Sequence, residues 1–285
     1  DGDYRAPERI TLGDYLVERW LPTKKAQLRP STYASYKNNV EIHIKPRIGL
    51  IPLQKLQPED LDTFYAQLLI DGKRNGVGGG LAPKSVRIIH GIIRKALADA
   101  NRKGTVIRNV ADLADPPKIR VGGSRAMTVW SAEELRQFLA GIEGSEWYAP
   151  IFLAANTGMR RGEVLGLPWR NVDLNTGRLV VDQQILSVEY GAQVADVKTT
   201  NSRRTIDINE RTVAMLKVWR RQQLEQRLST GQRDDDDFVF TRPDGKPIHP
   251  DFFSQSWAKL VRESGLRRIR LHDLRHTHAS ILLKE

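Results

Sequence analysis

Residues 156–174 read NTGMRRGEVLGLPWRNVDL, and a shorter stretch at 271–280 reads LHDLRHTHAS. In the first, Arg160 and Glu163 stand at i, i+3. In the second, His272 and Arg275 repeat that spacing, which puts each pair on one face of a helix. Between them, Lys198 ends an alternating segment just before the turn-prone Thr199-Thr200-Asn201-Ser202, where a long flexible side chain can reach into a cleft. Two guanidinium forks suit a phosphate, because each can hold two of its non-bridging oxygens. A lysine and a histidine beside them can move protons. No carboxylate cluster accompanies these residues, so the cations of such a site are the protein's own side chains, and the reading calls for no metal and no cofactor. Alone, each pair says little, since Arg and Glu at this spacing most often form a surface ion pair.

Working outward, the N-terminal part reads as helices. Thr11 caps a helix with Leu12, Tyr15, Leu16 and Trp20 on one side. A second runs from Ser31 towards Ile44 and ends before Pro46. A third starts near Pro58, with acids in its first turn, and carries Leu61, Phe64, Tyr65 and Leu68. After a Gly-rich loop at 71–80, a fourth spans about Pro83 to Arg102 and carries Val86, Ile89, Ile93 and Leu97. These make an all-α domain over residues 1–115. The segment DPPKIRVGGSRAM closes it, and residues 116–127 read as a basic linker loosened by proline and glycine. A second domain, 128–285, opens with the capping box Ser131/Glu134 ahead of Leu135, Phe138, Leu139 and Ile142. The period then changes: RLVVDQQILSV, AQVADVK and RRTIDI, within 178–208, predict three short strands. Helices resume at 210–228, 250–264 and 272–284. The fold class expected is mainly α with a small antiparallel β-sheet, an all-α domain followed by an α+β one.

The chain of 285 residues carries 45 Lys and Arg against 34 Asp and Glu, a net charge of +11 that points to a polyanionic partner. Both the first 115 residues and the remainder are net basic, so contact with that partner need not be confined to one domain. The absence of cysteine excludes disulfides, zinc-thiolate sites and thiol nucleophiles, and fits a reducing cytoplasm. No apolar run reaches the length of a membrane span. The run Asp234–Asp237 reads as a solvated loop, because adjacent side chains cannot all converge on one ion.

In combination the motifs are more specific than in isolation. TGMRRGE resembles the Thr-Gly-x-Arg-x-x-Glu box of tyrosine recombinases, the phage integrase family; HDLRHTHAS resembles that family's His-x-Leu-Arg-His box; VKTTNSRRTI resembles its lysine-bearing strand-turn-strand. The order and separations are family-like, the N-terminal helices resemble the family's core-binding domain, and the resemblance covers nearly the whole chain. It implies that Arg160 and Arg275 clamp the scissile phosphate, Lys198 protonates the 5′-oxygen leaving group, His272 assists proton transfer, and Glu163 orients its neighbours. It also implies a 3′-phosphotyrosyl intermediate, rejoining without ATP, and four protomers exchanging strands on two paired DNA sites in a bacterial cytoplasm, with DNA-bending accessory proteins as further partners. The family's nucleophilic tyrosine follows the second box, whereas this sequence ends at Glu285, ten residues after Arg275, with Tyr190 as its last tyrosine. The expectation is a fragment, truncated before its nucleophile, that binds DNA without cutting it.

Outside the boxes, LRPSTYASYKNN offers Arg29, Thr32, Tyr33, Tyr36 and Lys37 to DNA, and the fourth helix offers Lys84, Arg87, Arg94 and Lys95 off its apolar stripe. His276 and His278 accompany His272, but lacking further ligands they read as packing groups and not as a metal site. Two other readings remain: a DNA-binding regulator that uses the fold without catalysis, and a type IB topoisomerase, which shares the chemistry. The two domains together are expected to close as a clamp around duplex DNA.

Overall fold

The structure, a computed structural model, describes residues 10–74, 78–119, 128–188, 191–197, 203–231 and 238–283. Several sequence expectations fall outside them: Lys198 and its turn, the Asp234–Asp237 run, and most of the linker. The fold is mainly helical with small antiparallel sheets. The chain forms two compact units, 1–123 and 124–285. No helix among the described residues is long and apolar enough to cross a membrane.

Unit one is built from four helical rods. The first runs through α1 (Leu12–Asp14), a π-helical turn Tyr15–Trp20 and α2 (Leu21–Lys25). The second runs through α3 (Pro30–Asn39), a π-helical turn Val40–Ile44 and α4 (Lys45–Ile48). This corrects the expectation that Pro46 stops the helix. Each π turn ends two residues ahead of a proline, Pro22 or Pro46. A proline ring lacks the N–H and collides with the carbonyl four residues back. Widening the preceding turn removes the collision and lets the rod continue.

The third and fourth rods are α5 (Pro58–Asp71) and α6 (Pro83–Arg102), whose apolar stripes are buried as their spacing requires. The Asp60 carboxylate accepts the Gln57 N–H at 2.9 Å and closes the start of α5. The four rods share one core, in which the Trp20 indole donates to Asp99 at 2.9 Å and Lys24 and Arg102 reach the same carboxylate at 2.7 and 2.6 Å. On the solvent face of α6 stands Gly91, at a position where glycine costs a helix about 1 kcal/mol relative to alanine.

Unit two opens on α7 (Ala132–Gly141), where Ser131 and Glu134 cap each other at 3.1 and 2.7 Å. Then comes α8 (Tyr148–Thr157), nearly all buried, which ends at Gly158 in the left-handed conformation (φ 59°). Next lies α9 (Arg161–Leu165). Gly162 and Gly166 let α9 lie against strand β3: a Cβ at Gly162 would stand 2.6 Å from the Ile185 carbonyl oxygen, and one at Gly166 2.8 Å from the Gln184 backbone.

The strands are β1 (Val172–Asp173), β2 (Arg178–Val181), β3 (Gln183–Val188), β4 (Gly191–Asp196) and β5 (Arg204–Asp207). They form two antiparallel sheets, ordered β1-β2-β5 and β3-β4. The segment RLVVDQQILSV is therefore not one strand, as its pattern suggested, but two strands in different sheets. The break falls at Asp182, whose carboxylate takes the Asn171 amide at 2.6 Å and whose carbonyl takes the Val197 N–H at 3.1 Å. Three helices follow, α10 (Glu210–Thr230), α11 (Pro250–Glu263) and α12 (Leu271–Leu282). Trp130, Phe138 and Trp257 meet pairwise, with ring centroids 4.8 to 5.6 Å apart, and tie α7, α11 and the entry to the unit together.

Candidate functional site

The first quoted segment places Arg160 in the turn between α8 and α9. Its backbone is extended (φ −70°, ψ 152°), so it is the N-cap of α9 and not a helical residue. The expectation of a shared helical face is corrected: Arg160 and Glu163 are joined as a capping pair. The Arg160 N–H donates to one Glu163 carboxylate oxygen at 2.8 Å, and Nη1 of Arg160 donates to the other at 2.8 Å. Half of the Arg160 side chain remains exposed, while Glu163 is 2% exposed.

Glu163 has a second partner that the sequence reading missed. Arg204, at the start of β5, donates to both carboxylate oxygens, at 2.8 and 3.2 Å. Burial pushes the Glu163 carboxyl upward, but the bonds from Arg204 and from the backbone and side chain of Arg160 outweigh it and leave it below the usual carboxylate range. The fork also anchors β5 to α9. The signal for Arg204 was present in the doubled arginine of RRTIDI, where strand alternation puts Arg204 on the same side as Ile206. Nothing in the sequence, however, says which of 45 cations faces a given carboxylate.

The second quoted segment begins α12. His272 and Arg275 are both helical and lie one turn apart. Nη1 of Arg275 donates to the Gly158 carbonyl at 2.6 Å, which fixes the side chain against the end of α8. Partial burial, then the charges of Arg160 and Arg204, draw Arg275 below the ordinary arginine value, with Glu163 opposing them. His272 is likewise lowered, by desolvation first and then by His276, whose ring meets it edge-on at 5.3 Å. At neutral pH its imidazole is therefore uncharged and able to accept a proton.

Arg160, His272 and Arg275 line one pocket of about 480 Å³ with Arg161, Arg268, Arg270 and an apolar floor that includes Trp257 and Ile269. Arg270 is held by Asp273 at 2.7 Å and Arg161 by Asp251 at 3.2 Å. The wall of the pocket thus carries five guanidinium groups, of which Arg160, Arg161 and Arg270 are paired with carboxylates. Lys198, expected beside them, lies outside the described residues. His278 packs on Gly158, and burial lowers its pKa. Among the described residues no cluster of three or more His, Asp or Glu is placed to hold a metal ion.

The residues expected to meet DNA from unit one divide into two groups. Arg29, Lys84, Arg87, Arg94 and Lys95 are exposed, whereas Thr32, Tyr33, Tyr36 and Lys37 are partly covered. Tyr33 and Tyr36 pack on the core, and Tyr36 stacks on Trp20 with ring centroids 5.7 Å apart. Lys95 stands over the Tyr36 ring at 5.8 Å, and Arg94 pairs with Asp112 at 2.5 Å.

A family model described as the phage integrase family matches residues 129–285, and one described as the phage integrase N-terminal SAM-like domain matches residues 11–69. The ICEBs1 integrase of Bacillus subtilis is 26% identical over 273 residues, spanning 95% of this chain and 71% of that protein. The integrase of Streptomyces ambofaciens is 27% identical over 290 residues, spanning 99% and 71%. Among solved structures, the Tn1549 transposon integrase in complex with transposon right end DNA superposes with a TM-score of 0.77 at 17% identity, over 96% of this chain and 87% of that one. A lambda integrase tetramer bound to a Holliday junction gives 0.68 at 17% identity, over 97% and 74%. At these identities the structural likeness is one of fold.

Proposed function

The chain belongs to the phage integrase family, the tyrosine recombinases, and from that premise we propose how its residues carry out site-specific recombination of DNA. Arg160 and Arg275 clamp the non-bridging oxygens of the scissile phosphate. A tyrosine hydroxyl attacks phosphorus, its proton passing towards His272. A 3′-phosphotyrosyl bond forms as the bond to the 5′-oxygen breaks, and Lys198 gives that oxygen its proton. One phosphoester replaces another, so the reverse attack by a 5′-hydroxyl rejoins DNA without ATP. Charge on the phosphoryl oxygens rises towards the transition state, and guanidinium groups already fixed by Gly158 and Glu163 need no reorganisation to meet it.

The observation that carries this reading is the pocket itself, which gathers Arg160, His272 and Arg275 from segments more than a hundred residues apart. Both units contribute contacts to duplex DNA, the first through α6 and the start of α3, and four protomers act on two paired sites. In this reading the nucleophile follows the second box. The test is cleavage of an attachment-site duplex by a version carrying the tyrosine-bearing segment. Arg160→Ala and Arg275→Ala abolish most cleavage and leave DNA affinity nearly unchanged. Cleavage at the full rate by either variant would overturn the assignment.

A further inference from the structure

Gly91 is the ninth residue of the twenty in α6, far from either end of the helix. Its backbone is ordinary for a helix, and a Cβ built there meets no atom within 4 Å. The fold therefore does not require glycine at this point, although glycine weakens a helix interior. Its four neighbours on the helix surface, at i−4, i−3, i+3 and i+4, are Arg87, Ile88, Arg94 and Lys95. Three are basic and exposed, and the fourth is an isoleucine that is 49% exposed. The opposite face of α6, with Val86, Ile89 and Ile93, is buried in the core.

An exposed helix face with a cationic rim, a bare backbone spot at its centre and one apolar side chain beside it matches the DNA major groove. The groove is about 12 Å wide, and a helix with its side chains measures about 10–12 Å across, so the fit is tight. Removing one side chain at the point of deepest contact lets the helix enter further, while Arg87 and Lys95, one on each side of Gly91, reach the two phosphate walls, Arg94 being held by Asp112. An apolar side chain at the same depth can meet a thymine methyl group. Resting on the recombinase reading above, we propose that α6 seats in the major groove at Gly91, and that Gly91 sets the depth of entry through which Ile88 discriminates sequence.

The test uses the chain as it stands, with Gly91→Ala and Gly91→Gln. A random-sequence duplex pool is selected on the wild-type protein. Affinity is then measured for the selected duplex and for poly(dI-dC), with thermal melting alongside. Gly91→Ala melts about 2–4 °C above wild type, because it removes a helix-interior glycine. Both variants lose affinity for the selected duplex, Gly91→Gln by roughly tenfold, while affinity for poly(dI-dC), which is set by phosphate charge, stays as it was. Unchanged affinity for the selected duplex would overturn the inference and leave the recombinase reading intact. An equal loss on both DNAs would also overturn it, since groove entry is then not what was removed. If the wild-type chain enriches no sequence, the recombinase reading fails and this inference with it.

Discussion

Arg275 is bonded through Nη1 to the backbone carbonyl of Gly158 at 2.6 Å, across 117 residues of sequence. Gly158 closes α8 in the left-handed conformation, and the imidazole of His278 lies where a side chain at Gly158 would project, 2.7 Å from an ideal Cβ. One glycine thus sets both the direction of a carbonyl and the seat of α12. Gly158→Ala should cost about 1–3 kcal/mol of stability, from backbone strain and the collision with His278. The cost should fall in a His278→Ala background, where only the strain remains. Urea denaturation of the four proteins of this cycle measures both terms. Equal costs in the two backgrounds would mean that the ring is not the obstacle.

Arg204 carries the second prediction. It supplies two of the hydrogen bonds to a carboxylate that is almost fully buried. Arg204→Ala leaves Glu163 with Arg160 alone and should destabilise unit two by about 3 kcal/mol, the lower end of the range for breaking a buried ion pair. Arg204→Lys keeps the charge but loses the fork and should fall between. In a cleaving version, kcat should drop more than KM rises, because Glu163 is then free to pull Arg160 away from the phosphate. A stable Arg204→Ala protein with unaltered kcat would reduce Arg204 to a surface residue.

The helices that build unit one were legible because their apolar residues recur at helical spacing. Leu61, Phe64, Tyr65 and Leu68 on α5 and Val86, Ile89, Ile93 and Leu97 on α6 are all buried. By contrast, α8 left no such trace. In YAPIFLAANT nearly every position is apolar, and a helix enclosed on all sides has no period to detect. The strand break at Asp182 was equally hidden, since the groups that hold it, the Asn171 amide and the Val197 N–H, meet it only in the folded chain. At the site, Arg160, Glu163, His272 and Arg275 could be singled out by spacing and resemblance. Arg204 could not, because its role exists only through the buried carboxylate it meets.

The lowered pKa of Glu163 fixes the sign of a pH effect. A carboxyl held below its unfolded value of about 4.3 contributes stability that is complete above that pH. The contribution fades as pH falls through the folded-state value. The stability difference between wild type and Glu163→Gln should therefore be constant from neutral pH down to about 4.5 and shrink below it. Asp99, Asp173, Asp251, Asp273 and Glu134 are also lowered and titrate in the same acidic range, so only the difference between the two proteins isolates Glu163. Denaturation at a series of acidic pH values reads it. A difference that grows on acidification would contradict the depressed pKa.

The charge surplus predicts how DNA affinity responds to salt. Each phosphate neutralised by a lysine or arginine releases condensed counterions, so the logarithm of the binding constant falls linearly with that of salt, with a slope of about −0.9 per contact. With both units net basic and +11 overall, several contacts are expected. A loss of roughly 10³-fold or more between about 50 and 200 mM salt follows from six or more of them. Lys84 and Arg87 on α6 are exposed, and neither is paired with a carboxylate among the described residues. Lys84→Ala and Arg87→Ala should each reduce the magnitude of the slope by about 0.9 on any duplex, because phosphate contacts carry no sequence. Arg94→Ala should change it less, since Asp112 already offsets that charge. Titrations over a salt series with one labelled duplex measure all three variants. A slope near zero for the wild-type chain, or slopes unmoved by Lys84→Ala and Arg87→Ala together, would remove α6 from the DNA-binding surface.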